Sequence, residues 1–184
     1  MSAINWFKYS SPHSFYPLAG RLFPWFFAAA LLLGVVGLYV AFFVAPTDFQ
    51  QGESYRIIFV HVPAAWLALG VYTMMAIAAL GTLVWRHPLS DVAQKAAAPI
   101  GAAFALICLV TGSIWGRPTW GTYWEWDGRL TSMLVLLFLY IGYISLAAAI
   151  DDPRRADKAS AVLALVGVVN VPIIYFSVQW WNTL

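Results

Sequence analysis

The sequence predicts an all-α protein, a polytopic bundle of helices that crosses a membrane. Apolar residues make up 62% of its 184 residues and charged residues only 10%, which is more apolar surface than a soluble domain of this size can hide. The apolar residues also form long blocks, each near the roughly 20 residues that a helix needs to cross about 30 Å of hydrocarbon. We therefore expect one transmembrane bundle over residues 1–184.

Five apolar blocks predict five membrane spans. They lie at about residues 22–44, 57–85, 96–114, 130–150 and 159–179. The first block is longer than the apolar core of a cleavable signal peptide, so we interpret it as a retained span. The second is long enough to begin with a short interfacial turn before Pro63, and Pro172 is expected to kink the fifth. No internal repeat or long linker divides the blocks, which favours a single bundle.

The basic residues predict which face is cytoplasmic. Seven of them fall on the side of the N-terminus, namely Lys8, Arg21, Arg86, Lys95, Arg154, Arg155 and Lys158. Three fall on the opposite side, namely Arg56, Arg117 and Arg129. Because cytoplasmic loops carry an excess of positive charge, the N-terminus is expected in the cytoplasm of a bacterial inner membrane. Residues 45–56, residues 115–129 and the end of the chain would then face outward.

Charge and cysteine content exclude several classes of function. The formal net charge is +2 and the basic residues form no stripe, so no nucleic-acid partner is expected. Cys108 is the single cysteine of the sequence, which leaves no disulfide within it, and its apolar surroundings indicate a small buried residue. A phosphate-binding GxxxxGK[ST] loop is missing from these residues, so no ATP hydrolysis is expected of them.

Tryptophan is concentrated in the segment 115–129, which we predict to be an outer connecting loop. Its aromatic residues are Trp115, Trp120, Tyr123, Trp124 and Trp126, and Trp180 and Trp181 are expected on the same side. One interpretation is a belt of indole rings at the level of the lipid headgroups. The other is a binding surface, because indole rings suit a large, flat, apolar molecule and the interspersed glycines let the backbone approach it. A porphyrin has such a shape.

His61 is the candidate ligand for a porphyrin iron. An isolated histidine near a membrane interface can be a hydrogen-bonded structural residue. A neutral imidazole is also an ordinary axial ligand of haem iron, and His61 is expected on the same side as the tryptophans. Both roles remain open from the residues alone, whereas His13 and His87 are expected on the cytoplasmic side and are interpreted as solvated.

Three arginines on the outer side have two interpretations. They pair with nearby carboxylates, or they hold the propionates of a haem by charge-assisted hydrogen bonds. Arg56 and Arg129 are favoured for the second role, since each is close in sequence to His61 or to the aromatic segment. Asp127 is expected to orient this segment or an arginine.

Residues 120–127 read WGTYWEWD and match the WGxxWxWD signature of haem-handling proteins. Further similar stretches are residues 50–56, 61–65, 130–132 and 180–184, so that the similarity covers nearly the whole chain. The sequence resembles the haem exporter protein C family of the cytochrome c maturation system.

The resemblance implies a non-enzymatic protein that binds haem b at the periplasmic face and loads it onto a periplasmic haem chaperone, maturation protein E. His61 would ligate the iron, Trp120, Trp124 and Trp126 would contact the porphyrin together with the nearby Trp115, and Arg56 or Arg129 would neutralise propionates. Asp127 would fix the loop. Implied partners are an ABC-type pair, exporter proteins A and B, and a small membrane protein, exporter protein D.

The family usually has six spans and a second histidine ligand, which would follow Leu184. We therefore expect either a shortened chain or a second ligand beyond Leu184. Two other functions stay open: a haem lyase-type enzyme that attaches haem to an apocytochrome, and a purely structural transporter subunit. A lyase should show more spans and histidines, whereas a structural subunit would use the tryptophans as membrane anchors.

Overall fold

The structure, a computed structural model, describes residues 6–180. Over these residues the chain is helical and contains no strand. The helices are α1 (Pro12–Tyr39), α2 (Ile58–Leu80), α3 (Pro88–Trp120), α4 (Gly128–Ala149), α5 (Pro153–Gly167) and α6 (Asn170–Trp180). Five helical segments of the described chain are long and apolar enough to cross a membrane. The predicted polytopic, all-α membrane protein is thereby confirmed.

The chain divides into two compact units, Met1–Pro46 and Thr47–Leu184. The first unit contains α1, and Pro12 is its first residue. Proline suits this position because the N–H that it lacks would have no partner within the helix. A π-helical turn, Val40–Val44, continues α1 at its C-terminal end. The helix thus starts ten residues before the predicted span at 22, because hydropathy marks only the apolar part of a longer helix. The single bundle over residues 1–184 stays a prediction.

The second unit is a helix bundle with a core of small and aromatic side chains. In it α2 packs along α3, while α4 contacts α3, α5 and α6. Ala68 and Ala105 are fully buried, and small residues of this kind let membrane helices approach closely. The Tyr140 hydroxyl donates to the Ala68 carbonyl at 2.7 Å, and its ring meets Tyr72 edge-on at 5.0 Å between centroids.

The fifth predicted span consists of two helices rather than one kinked helix. Pro172 has no N–H to donate to the Val168 carbonyl, and that hydrogen bond would be needed to continue α5. The Val171 N–H bonds this carbonyl instead, at 3.0 Å. The Asn170 side chain donates to the Ser132 carbonyl of α4 at 2.9 Å. The break therefore lies at residues 168–169, ahead of the predicted kink at Pro172.

The prediction of a loop over residues 115–129 is wrong for residues 115–120, because α3 continues to Trp120. Pro118 costs the helix one hydrogen bond only, close to its end. Gly121 then ends α3 in the left-handed conformation, with φ 90°, which suits glycine. The true connection is residues 121–127, and Asp127 caps the start of α4.

The segment before α2 forms the short turn that was expected ahead of Pro63. It is a 3₁₀ turn, Glu53–Ile57, which leads directly into α2 and places Pro63 inside the helix. This turn and the connection 121–127 belong to the same unit, and the site described below lies next to both.

Candidate functional site

A cavity of about 470 Å³ opens among α2, α3, α4 and α6 of the second unit. Its volume falls in the range of about 300–1,000 Å³ that is usual for small-molecule sites. Several residues predicted from the sequence line it together, namely His61, Trp115, Trp120, Asp127 and Arg129. The fold thus joins residues that are up to 68 positions apart in the sequence.

His61 projects from α2 toward α3. Its Nδ1 lies 3.1 Å from the Cys108 carbonyl oxygen and 3.1 Å from the Thr111 hydroxyl oxygen. A carbonyl can only accept, so Nδ1 donates and carries the proton in this arrangement, and Nε2 keeps the free lone pair. Metal-binding histidines are commonly oriented by such a hydrogen bond from their other nitrogen. His61 is therefore oriented by Nδ1, and in its neutral form it has Nε2 available to a ligand.

Gly112 of α3 provides the space for the imidazole. A Cβ atom at this position would lie 3.0 Å from His61 Cε1, so we expect Gly112→Ala to push the ring away from its hydrogen-bond partners. Overpacking of this kind costs about 1–3 kcal/mol, and the unfolding temperature in detergent should fall accordingly.

Gly142→Ala of α4 is the matched control for Gly112→Ala. A Cβ there would meet Leu163 Cδ2 at 3.5 Å, an ordinary contact, so this variant should be neutral or stabilised by up to about 1 kcal/mol. Equal stability of the two alanine variants would show that His61 is not packed against Gly112.

Trp115 forms the wall next to His61. Its ring meets the imidazole edge-on, with 5.8 Å between centroids and 69° between planes. Its Nε1 donates to Gln51 Oε1 at 2.8 Å. Gln51 is placed by a tight turn in which Asp48 Oδ1 accepts the Gln51 N–H at 2.8 Å and Gly52 has φ 59°. The segment before α2 is thereby tied to the end of α3.

Asp127, Arg129 and Trp120 form a connected group on the other side of the cavity. Asp127 Oδ2 accepts from Arg129 Nε at 2.7 Å, and Oδ1 accepts the Leu130 N–H at 2.8 Å as the cap of α4. The guanidinium of Arg129 lies 5.5 Å from the Trp120 ring centroid, a cation–π distance. Trp120 can lie along α3 because Gly116, one turn earlier, has no side chain in its way. One carboxylate thus starts a helix and fixes a cation against an indole.

Several buried donors here have no hydrogen-bond partner among the described residues. They are Arg129 Nη2 and the indole Nε1 atoms of Trp120 and Trp124. An unpaired buried donor costs about 1–3 kcal/mol, so such groups indicate a ligand that accepts hydrogen bonds. Since Arg129 and Trp120 line the cavity, these residues fit a flat molecule that carries a carboxylate.

Three predicted site residues are placed elsewhere. The Nε atom of Arg56 lies 2.5 Å from Glu53 Oε2, so this arginine follows the carboxylate-pairing interpretation. Trp124 packs against the core and meets Trp126 edge-on at 5.3 Å. Trp126 is 76% exposed. None of the three residues is among the lining residues of the cavity in the described chain.

The remaining outer aromatic residues are at the surface. Arg117 lies 5.6 Å from the ring centroid of Tyr123, which is exposed. Trp180 is exposed and stacks on Phe176 with 5.2 Å between centroids, while Trp181 lies outside the described residues. Such positions suit the headgroup level of a membrane.

Some residues of the cavity were not identified from the sequence. Cys108 is buried, as predicted, but it also lines the cavity. Gly112 and Thr119 line it too, and with Trp115 they recur at the spacing of one helix face. This pattern was readable once the helix was known to continue to Trp120. No such sequence pattern identifies Gln51 as a lining residue; only the turn that positions it could have indicated it.

Comparison with known proteins identifies the family of the chain. The model of the family described as heme exporter protein C matches residues 5–184. A heme exporter protein C of Bradyrhizobium diazoefficiens is 59% identical over 175 residues, which are 95% of this chain and 66% of the relative. The Escherichia coli protein of that name is 54% identical over 94% of this chain and 71% of its own length.

A third relative, from Haemophilus influenzae, is 48% identical over 96% of this chain and 72% of its own length. The chain thus spans about two thirds of the length of these curated relatives. With nearly all of its residues matched, it belongs to the heme exporter protein C family.

Proposed function

We propose that this chain is a non-enzymatic protein that binds haem in the cavity among α2, α3, α4 and α6 and passes it on during cytochrome c maturation. One observation carries the proposal: an imidazole that is hydrogen-bonded through Nδ1 shares a cavity with an arginine that has an unused buried donor. The names of its relatives, exporters of haem, support the same cargo.

The proposal assigns each lining residue a role. His61 Nε2 would be an axial ligand of the iron, and the Cys108 carbonyl would hold the ring in position through Nδ1. Arg129 would bind a propionate, because Asp127 occupies only its Nε. It is favoured over Arg56, which is not among the residues that line the cavity.

The aromatic residues would provide the apolar surface for the macrocycle. Trp115 and Trp120 line the cavity, so their rings are proposed to contact the porphyrin directly. The exposed Trp126, with Trp124 behind it, would extend this surface toward the outside. A cargo that is passed on has to leave the site, and an aromatic surface that continues outward offers a route with little loss of contact.

The setting follows from the excess of basic residues at the opposite end of the unit. We infer that the cavity faces the periplasm and that the chain lies in a bacterial inner membrane. The cargo would be haem b. Proposed partners are the ABC-type exporter proteins A and B, which would hydrolyse ATP, the small membrane exporter protein D, and a periplasmic haem chaperone, maturation protein E, that receives the haem.

The optical spectrum of the purified protein from haem-replete cells tests the proposal. Wild type should show a Soret band. The double variant Trp115→Ala/Trp120→Ala should bind haem about 30-fold more weakly, because each ring contributes roughly 1 kcal/mol beyond its buried area. Haem-free wild type would favour the interpretation as a purely structural transporter component.

Trp66→Ala/Trp85→Ala is the matched control for the double variant. Both of these tryptophans are exposed and neither belongs to the lining of this cavity, so haem binding should stay at the wild-type level. A loss as large as that of the cavity variant would contradict a specific aromatic site. Formation of a thioether product with an apocytochrome, without other proteins, would instead favour a lyase.

A further inference from the structure

A second cavity, of about 710 Å³, lies at the opposite end of the second unit. It is formed by the connection between α2 and α3 and by the first turns of α5. Its charged and polar lining residues are Thr82, Arg86, Asp91, Arg154, Asp157 and Lys158. Neither the WGTYWEWD motif nor any haem-site residue contributes to it.

The two carboxylates of this cavity are already engaged by the protein. Asp91 Oδ1 accepts from the Thr82 hydroxyl at 2.5 Å, and Thr82 in turn accepts from the buried Gln94 side chain at 2.8 Å. Asp157 forms an ion pair with Lys95 at 2.5 Å, although the two groups are not aligned as a hydrogen bond. Among the described residues neither carboxylate forms a salt bridge with the three remaining cations, which outnumber the one carboxylate, Asp91, that no cation pairs with.

Those three cations are Arg86, Arg154 and Lys158. Within residues 6–180 none of them forms a salt bridge. With Lys95 balancing Asp157, the lining carries an excess of positive charge. Such a concave surface attracts an anion.

Arg86 has an unusual backbone. With φ 50° and ψ 42° it is the one non-glycine residue of the described chain in the left-handed region. Glycine or asparagine usually occupies such a position after a helix, and strained residues of this kind cluster at ligand-binding positions. In this sequence the position is an arginine, and its side chain lines the cavity despite the strain of the left-handed backbone.

The level of the cavity in the membrane indicates the source of the anion. Trp85, directly before Arg86, is 73% exposed, as expected of an indole at the headgroup level. The cavity also lies where the spans Glu53–Trp85, Pro88–Trp120 and Pro153–Trp180 begin or end. The excess of basic residues predicts that this face is cytoplasmic, and that leaflet is rich in anionic lipids.

We propose that this cavity binds a phosphate group, with the headgroup of an anionic phospholipid as its source. Arginine forks match phosphate oxygens in pairs, and lysine adds a point charge. The positive-inside rule accounts for basic residues on this face. It explains neither their convergence on one cavity nor the left-handed Arg86. The proposal is independent of the haem site.

Native mass spectrometry of the whole purified chain tests the site. After reconstitution in equal amounts of phosphatidylglycerol and phosphatidylcholine, wild type should retain phosphatidylglycerol preferentially. The triple variant Arg86→Gln/Arg154→Gln/Lys158→Gln should retain at least about 10-fold less of it. The control Lys8→Gln/Arg21→Gln/Arg155→Gln removes the same charge from the same predicted face and should stay within about twofold of wild type. Equal losses in both variants, or no loss in either, would overturn the proposal.

A second arm distinguishes lipid from soluble phosphate. In lipid-depleted detergent, phosphatidylglycerol should raise the unfolding temperature of wild type but not of the triple variant. The same variant-dependent rise with inorganic phosphate alone would keep the phosphate site and overturn its lipid source.

Arg86→Gly separates binding from folding. Glycine adopts the left-handed backbone without strain, so this variant should unfold at an equal or higher temperature than wild type while it retains less phosphatidylglycerol. Unchanged lipid retention in the stable Arg86→Gly protein would contradict a role of this arginine in the site.

Discussion

His61→Ala is expected to lower haem affinity by more than about 100-fold and to remove the Soret band of the purified protein. Loss of a residue that only orients a metal ligand costs about 10–100-fold, and here the proposed ligand itself is removed. Titration of the haem-depleted protein with haem, followed at the Soret band, measures the effect. The fold should persist, because the imidazole is only half-buried.

His87→Ala is the control for this variant. His87 lies at the start of α3, at the other end of the second unit, and its replacement should leave the haem titration unchanged. Adding imidazole to His61→Ala should restore part of the Soret band, because a free imidazole can occupy the position of the missing ring. Wild-type affinity in His61→Ala would refute the assigned ligand.

Asp127→Ala should be the most destabilising change in the motif, with a loss of about 3 kcal/mol in the free energy of unfolding. Removing the cap of α4 costs about 1 kcal/mol. The Arg129 guanidinium then loses its partner beside a buried position, which costs less than the roughly 3–5 kcal/mol of a fully buried pair, because Arg129 is 30% exposed. Unfolding in a denaturing detergent, followed by circular dichroism, measures the change.

Asp127→Asn divides this loss into its two parts. An asparagine oxygen can still cap α4, so only the charge interaction with Arg129 is weakened and about a third of the lost stability should return. Haem affinity of this variant should be lower than that of wild type, since the charge that fixes Arg129 on Trp120 is lost. Equal stability of the alanine and asparagine variants would show that the cap contributes nothing.

The fold was largely predictable because membrane spans are defined by length and hydropathy. Each of the five predicted blocks corresponds to a helical segment that can cross a membrane. Errors occurred at the ends, where polarity and helix propensity disagree. The chain before Leu22 is not apolar enough to be recognised as part of a span, yet Pro12 begins the helix there.

Proline and glycine in the aromatic segment were misleading for a related reason. Gly116 and Pro118 are typical of loops, but in α3 the glycine makes room for the Trp120 ring and the proline lies near the helix end. The break before α6 shows the same limit, since the sequence locates Pro172 but not the hydrogen bond from Asn170 to the Ser132 carbonyl at the start of α6.

The residue types of the candidate site could be predicted from the sequence, but their arrangement in space could not. His61, Trp115, Trp120, Asp127 and Arg129 were identified by residue type, and the structure brings them to one cavity. Each of the two candidate arginines pairs with a carboxylate, Arg56 with Glu53 and Arg129 with Asp127, and only Arg129 lines the cavity. No composition or spacing rule decides between two such arginines.

The break between α5 and α6 has a mechanical consequence for the proposed haem cavity. Ile174 and Ser177 of α6 form part of its wall, and Asn170 fastens the start of this helix to the Ser132 carbonyl of α4. A tilt of α6 about that point would change the width of the cavity while the hydrogen bonds inside both helices stayed intact. We therefore expect this wall to move as one short helix, so that a force on α6 would open the pocket without unfolding it.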